Sequence, residues 1–418
     1  MDISKILIDQ KANFQDTQAL VSRSVLDHFQ PYLKYKQSIL VSGVRRCGKS
    51  SLLKLIYQRH YKGQPFFYIN FDDERLAHIR LADLSRIYEE VLAQSAPVKP
   101  IVAFLDEIQE ITGWEKWVNR LSEMEHIKVY VTGSNASLLS GEMASSLTGR
   151  YLPINLRPFS FTEVLGLSGI KASTGGTAGQ AQIRKHFAEY LNFGGFPEIV
   201  NSKSLLVAQE YYANILHRDI ASRLKLRKTQ TLRNMAQFVL SHSSCLHTYR
   251  QLAKGFELKS DHTAEKYIAS LENAFIIERS PLWSRSLKQQ IRNPFKIYAI
   301  DPVFARAVSV SGDEMLGRLL ETIVYGECRR RGHQTYYWKN PSAEVDIYLA
   351  DQKQLIQVSY TVQHAGTRQR EISSLIKGME QLKIKSGLIL TNSDPTESIQ
   401  VGTHRIKILP AWQWCLQG

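Results

Sequence analysis

The chain has few cysteines, no long apolar run and no acidic excess. Its four cysteines, Cys47, Cys245, Cys328 and Cys415, are scattered over 418 residues with no C-x-x-C pair. That excludes a disulfide framework and a paired-cysteine zinc site, and it fits a reducing, cytoplasmic location. No uninterrupted apolar stretch approaches the roughly 20 residues needed to span a bilayer. The opening "MDISKILIDQ" lacks a signal-peptide pattern, so no membrane partner is expected. No internal repeat is found. Acidic residues number 39 against 53 lysines and arginines, a formal net charge of +14. The length suits two or three globular domains.

What the chain does have begins at "VSGVRRCGKSSLL". Residues Gly43, Val44, Arg45, Arg46, Cys47, Gly48, Lys49 and Ser50 satisfy G-x-x-x-x-G-K-[ST], with Ser51 next. The two glycines let successive N–H groups curl around a phosphate. Lys49 brings a point charge to the β- and γ-phosphates, and the Ser50 hydroxyl can hold Mg²⁺. The apolar run Ser38 to Val41 before it suits a buried strand. The leucines after it have helical spacing, so the loop opens a helix whose N-terminus favours an anion. Cys47 reads as a space-filler, since no base is placed beside it.

Two further strands end in polar residues. Ile101 to Leu105 runs into Asp106 and Glu107. Beside a phosphate loop, Asp106 can hold Mg²⁺ and Glu107 can act as base on the attacking water; on its own, the pair would be an ordinary acidic strand end. Val129 to Thr132 runs into Gly133, Ser134 and Asn135, where Ser134 or Asn135 can sense the γ-phosphate or cap a following helix. That helix is expected over Ala136 to Thr148, with Gly149 and Arg150 leading into a strand from Tyr151 to Leu156.

Taken together, "GVRRCGKSSLL", "YINFDDERL", "AFLDEIQEITGWEKWV", "VTGSNASLL" and "LTGRYLPINLRPFSFTEVL" resemble a large family of bacterial and archaeal AAA-type ATPases. Its members carry an N-terminal ATPase domain and a C-terminal domain of unknown function with a restriction-endonuclease-like core. The resemblance implies an α/β, P-loop AAA+ parallel-sheet core with ATP and Mg²⁺ as cofactors. It makes Asp106 and Glu107 the Walker B pair and puts Asn135 near the sensor 1 position. Arg150 then stands where related ATPases place an arginine finger, which serves a neighbouring subunit and implies a homo-oligomer. The alternative for Arg150 is a solvated basic residue.

Beyond the core, "SGIKASTGGTAGQAQ" (168–182) reads as a linker or exposed loop, and "NFGGFPEIV" carries a strong helix stop. The expected organisation is an ATPase core over 1–170, a helical lid over 171–229, a winged helix-turn-helix over 230–310 and a nuclease-like domain over 311–418. Residues 217–335 contain 20 lysines and arginines against 11 acids, which points to a polyanionic partner. Three helices precede paired strands at Ile276 to Arg279 and Phe295 to Tyr298, which flank a basic loop. In a winged helix the later helix often enters the DNA major groove. Lys259, His262, Lys266, Arg285, Lys288 and Arg292 are the candidate DNA contacts; many winged helices instead bind proteins or pack within their own chain.

The last segment orders a helix with Glu321, strands "TYYWK", "SAEVDIYLA" and "QLIQVSY", a helix from Arg368 to Leu382 and a strand "GLILT". This order resembles the PD-(D/E)xK nuclease core. Asp346 matches its first acid. Where Glu-x-Lys should follow stand Gln357, Val358 and Ser359, and Glu321 and Glu344 do not restore the motif. Cleavage is therefore expected to be lost. The chain reads as an ATPase that couples its nucleotide state to nucleic acid. A nucleotide switch acting on a protein partner is the alternative, and an ATP-controlled nuclease is a third reading.

Overall fold

The computed structural model describes residues 3–16, 20–94, 101–123, 127–135, 149–171, 176–222, 224, 229–309 and 313–417. The chain divides into two compact units, residues 1–157 and 158–418. The helix expected over Ala136 to Thr148 lies outside the described residues. Among the described residues, no helix is long and apolar enough to cross a membrane.

The first unit is built on a five-stranded parallel sheet. Its strands are β1 (Ser38–Ser42), β2 (Phe66–Asn70), β3 (Val102–Asp106), β4 (Lys128–Gly133) and β5 (Tyr151–Asn155), in the order β2-β3-β4-β1-β5. Both faces of a parallel sheet are covered, so the strands read as near-continuous apolar runs. Period two still divides them. Phe67, Ala103, Leu105, Val129 and Val131 pack with Trp114, Trp117, Val118 and Leu121 of the helix Trp114–Glu123. Phe66 and Phe104 turn the other way and meet Tyr57, which follows the helix Lys49–Ile56, and Phe14. Because β4 lies between β1 and β3, the residues that follow it fall between the phosphate loop and the Asp106–Glu107 strand end.

The second unit opens with helices Phe161–Leu167, Gly176–Phe193, Pro197–Ser202 and Leu205–Asn214. The glycine- and serine-rich stretch expected to be a linker is a helix from Gly176 onward, so that expectation is corrected for its second half. Ala178, Gln180, Ala181 and Gln182 are good helix formers and let the helix begin early. Helices Gln230–Ser241, Tyr249–Gly255 and Asp261–Asn273 follow, with a small antiparallel sheet in the order β6-β8-β7: β6 (Leu246–His247), β7 (Ile277–Ser280) and β8 (Phe295–Ala299). Ser260 caps the third helix, whose Ala264, Tyr267, Ile268 and Leu271 are buried.

A six-stranded mixed sheet ends the chain. It comprises β9 (Thr335–Asn340), β10 (Ala343–Leu349), β11 (Gln354–Val358), β12 (Ser386–Thr391), β13 (Glu397–Val401) and β14 (His404–Pro410), in the order β13-β14-β12-β11-β10-β9. Helices Asp313–Arg330 and Ala365–Leu382 pack on it. The small sheet and the large one meet at one edge. Leu282, just past β7, bridges in parallel to Tyr337 of β9, and the Trp283 N–H donates to the Tyr337 carbonyl at 2.7 Å.

The paired glycines of "NFGGFPEIV" mark a close backbone approach. Gly194 has φ +65°, and a Cβ there would sit 1.7 Å from Asp301 Oδ1. The Gly195 N–H donates to Asp301 Oδ2 at 2.9 Å, while Asp301 Oδ1 accepts from the Val303 N–H and caps the helix Pro302–Val308. A side chain at residue 194 would displace this buried cap. Gly194→Ala should therefore cost about 1–3 kcal/mol in urea unfolding. Gly255→Ala, where a Cβ meets open space, should change stability by no more than about 1 kcal/mol. Equal effects of the two substitutions would remove the close approach as the reason for the glycine pair.

Candidate nucleotide site and a second charged pocket

The phosphate loop follows β1, whose residues are all buried. Gly43 is required because the end of β5 runs beside it: a Cβ would lie 2.1 Å from the Leu156 carbonyl oxygen. Gly48 holds φ +100° at the N-terminus of the helix Lys49–Ile56, and Arg46 is left-handed as well at φ +71°. These turns aim backbone N–H groups into the loop. Cys47 is fully buried with its thiol pushed up by burial, so it fills space as expected.

Lys49 is only 4% exposed. Its ammonium donates to the carbonyls of Gly43 (3.2 Å) and Val44 (3.3 Å) and lies 3.3 Å from Glu107 Oε1. Burial lowers the lysine's affinity for its proton, but Glu107 and Asp106 more than offset this, so its pKa is raised and the charge is kept. Burial pushes the Glu107 carboxyl up, while Lys49, Gln109 and Arg45 together hold it below its ordinary value. Arg45 also pairs with Asp72 at 3.3 Å. Glu107 itself has φ +52°, a left-handed backbone that is uncommon outside glycine. Its N–H donates to Thr132 Oγ1 at 2.9 Å, which fixes this turn.

Asp106 is 1% exposed. Its carboxylate accepts hydrogen bonds from Tyr68 (2.8 Å) and Thr132. Burial raises its pKa, and Glu107 adds to the rise. The Ser50 hydroxyl, which lowers the Asp106 pKa, and the Asp106 carboxylate itself are hard oxygen donors, the type that Mg²⁺ takes. Ser134 and Asn135 are buried at the end of β4, between the loop and the carboxylates. Arg150 is half-exposed and pairs with Glu123 at 2.7 Å.

Three participants had no local signal in the sequence. Arg23 is buried, and its guanidinium donates to the Cys47 carbonyl (3.0 Å) and the Arg157 carbonyl (2.6 Å), clamping the loop's outer turn. Tyr68 and Thr132 reach Asp106 from neighbouring strands. Only the strand ending in Thr132 stood out by its apolar-to-polar switch.

The proposed DNA contacts all stand exposed, on two surface elements. Lys259, His262 and Lys266 lie at or on the helix Asp261–Asn273, and Arg285, Lys288 and Arg292 lie between β7 and β8, around the short helix Leu287–Arg292.

The nuclease-like residues converge more closely than their sequence positions suggest. Glu321 and Glu344 were expected to leave the motif incomplete. With Asp346 they surround a fourth side chain, Lys296 of β8, which the sequence reading missed. Lys296 Nζ is 2.8 Å from Asp346 Oδ1, 3.0 Å from Glu321 Oε1 and 3.4 Å from Glu344 Oε1, and the residue is 2% exposed. The ammonium thus reaches this cluster from β8 and not from the strand of Gln357 and Ser359. Gln357 is also fully engaged: its Nε2 donates to Glu371 at 2.6 Å and its Oε1 accepts from the Asp346 N–H at 3.3 Å. The Ser359 hydroxyl donates to the Thr361 carbonyl at 3.0 Å, away from this cluster.

A model of an AAA domain matches residues 35–165, and a model of a domain of unknown function (DUF8612) matches residues 184–314, ending before the six-stranded sheet. The uncharacterized protein MJ1544 of Methanocaldococcus jannaschii is 32% identical over 396 residues, spanning 90% of this chain and 88% of that one. An uncharacterized protein of Haemophilus influenzae is 29% identical over 364 residues, spanning 83% of this chain and 88% of its own. Among solved structures, the Thermotoga maritima RuvB Holliday junction branch migration motor aligns with 61% of this chain and 86% of its own. That alignment has 15% identity and a TM-score of 0.31, too slight to bear on function. With its phosphate loop, its parallel sheet and a relative matched over nearly its whole length, the chain belongs to the AAA-type P-loop ATPase family.

Proposed function

We propose that the chain is a cytoplasmic Mg²⁺-dependent ATPase that couples its nucleotide state to DNA. The observation that carries the proposal is the buried charge set after β1 and β3: Lys49 against Glu107, with the buried Asp106 beside it. The loop carbonyls of Gly43 and Val44 and the Glu107 carboxylate occupy the Lys49 ammonium. A triphosphate offers stronger acceptors and draws that charge onto itself. Ser50 and Asp106 would hold Mg²⁺, which neutralises charge on the phosphate oxygens when bound. Glu107 accepts the proton of the attacking water, and Asn135 senses the γ-phosphate or orients that water. Arg150 serves the nucleotide of a neighbouring copy in a homo-oligomer.

In this reading residues 1–170 form the ATPase core and 171–229 a helical lid. Residues 230–310 form a winged helix that carries the DNA contacts, and 311–418 a nuclease-like domain without cleavage. The helix Asp261–Asn273 supports the DNA role: it buries one face and leaves His262 and Lys266 in solvent. One observation favours the alternative of a slow nucleotide switch acting on a protein partner. Both Glu107 oxygens are engaged, one by Lys49 and the other by Gln109, and a base so held has first to be released.

ATP turnover by the purified protein, with and without duplex or single-stranded DNA, tests the main reading. DNA should raise the rate, whereas slow turnover with tightly retained nucleotide would favour the switch. Glu107→Gln should keep nucleotide binding and lose at least about 100-fold in turnover; unchanged turnover would remove Glu107 from the role of base.

The pH dependence follows from the same carboxyl. Its pKa in the folded protein lies below its unfolded value, so it stays ionised as pH falls until that lower value is reached. The ion pair with Lys49 contributes stability in full above the unfolded value of about 4.3 and loses it only below. Turnover should therefore stay flat from pH 8 to about 5.5 as far as this group is concerned. A loss centred near pH 7 would point to a different base.

DNA affinity should fall as salt rises, because lysines and arginines on phosphates release bound cations, with a log–log slope of about −0.9 per contact. Replacing both Lys288 and Arg292 by alanine should make that slope shallower by roughly 1–2. Indifference to DNA at low salt would turn the helical module into a protein-facing one.

A further inference from the structure

The nuclease-like reading of residues 311–418, on which this inference rests, requires a divalent ion among Glu321, Glu344, Asp346 and the residue at 357. The side chains present do not fit one. An ammonium already stands within 2.8–3.4 Å of an oxygen from each of the three carboxylates, in the space a metal at about 2.0–2.6 Å from the same oxygens would need. Further donors reach these carboxylates. Asp346 Oδ2 accepts the Val358 N–H at 2.9 Å, Glu321 Oε1 also accepts the Tyr298 hydroxyl at 2.7 Å, and Glu344 Oε2 pairs with Lys339 at 2.9 Å. At residue 357, where a metal-binding acid is expected, a glutamine amide donates to the buried Glu371 carboxylate. A carboxylate at 357 would face another at that distance.

Charge points the same way. Lys296 and Lys339 stand against the three carboxylates, so two of the three negative charges are balanced without a divalent ion. Among the described residues, no group of three or more histidines, cysteines, aspartates or glutamates is arranged to hold a metal.

We propose that Lys296 is the resident cation of this pocket, a tethered substitute for the divalent ion, and that the pocket serves as a joint fixing the helical module to the six-stranded sheet. Lys296 is the second residue of β8, paired with Leu246 of β6 and Ser280 of β7, so its ammonium anchors the whole small sheet to Asp346 on β10 and Glu321 on the helix Asp313–Arg330. The segment carrying Arg285, Lys288 and Arg292 begins and ends on the same β9 residue. Tyr337 accepts from the Trp283 N–H at one end, and its hydroxyl donates to the Pro294 carbonyl at 2.6 Å at the other. The basic segment is held as a fixed part of the sheet edge.

The test uses the full chain, with Mn²⁺ as probe, isothermal titration and thermal melting. Wild-type protein and Asp346→Asn should give the same Mn²⁺ isotherm, because the pocket takes no metal. Lys296→Ala leaves three buried carboxylates without their central cation. Its melting temperature in EDTA should fall by on the order of 10 °C. Mn²⁺ should restore much of that loss and bind at one new site, which the further change Asp346→Asn removes. A folded Lys296→Ala that gains no Mn²⁺ site, or melts with the wild type, overturns the inference. So does wild-type Mn²⁺ binding that Asp346→Asn abolishes, a comparison that holds even if Lys296→Ala does not fold. The nuclease-like, non-cleaving reading fails separately, if wild-type protein cuts DNA with Mg²⁺ and Asp346→Asn does not.

Discussion

Two lysine ammoniums in this chain, those of Lys49 and Lys296, lie almost wholly out of water, and the placing of carboxylates around them orders much of the rest. Removing a charge from water costs several kcal/mol unless a partner and hydrogen bonds replace the lost solvation. In the first unit the partner is Glu107, brought to Lys49 by a parallel sheet whose strands all end on one side. In the second unit there are three partners, from a helix and a strand. In both, the ammonium lies where strands or turns from separate segments converge. The two sites differ in how readily the charge can be redirected. Lys49 is held partly by loop carbonyls, which a phosphate outcompetes. Lys296 is held by three carboxylates that have no exchange partner in the described structure. The first is built to be used and the second to stay.

The contrast bears on how one chain carries an ATPase core and a six-stranded mixed sheet. A phosphate loop works because its backbone leaves N–H groups unspent. The pocket around Asp346 leaves little unspent: nearly every oxygen has a donor, and Gln357 is tied at both ends of its amide. A pocket so satisfied stabilises a fixed geometry, and that geometry holds the small sheet and its basic segment.

The candidate nucleotide site was legible in the sequence because it is contiguous. Gly43, Gly48, Lys49 and Ser50 fall within eight residues, and the apolar-to-acid switch at Leu105–Asp106 marks the opposing strand. The parallel sheet was legible for the same reason, each strand being an apolar run closed by polar residues. Arg23, Tyr68 and Thr132 were hidden because their contacts with the loop and with Asp106 depend on strand order, which no local pattern states. Lys296 was hidden by a stricter version of the same limit. A nuclease motif carries its lysine on the strand of Gln357 and Ser359, whereas this ammonium arrives from β8, outside the segment 311–418. The glycine pair at 194 and 195 was visible as a stop signal, but its reason, the Asp301 carboxylate, lies over 100 residues away. The helix start at Gly176 was missed because glycine and serine around it outweighed the alanines and glutamines that follow.

The account stands on the claim that the Lys49 charge is held ready for a triphosphate. Titration of ATP into the full chain with Mg²⁺ tests this most directly, with Lys49→Ala as the comparison. One ATP per chain should bind to the wild type, with affinity weakened at least about 100-fold by Lys49→Ala, since a buried charge-assisted contact is worth roughly 3 kcal/mol. Equal affinity in the two proteins, or no binding to the wild type, would contradict the account.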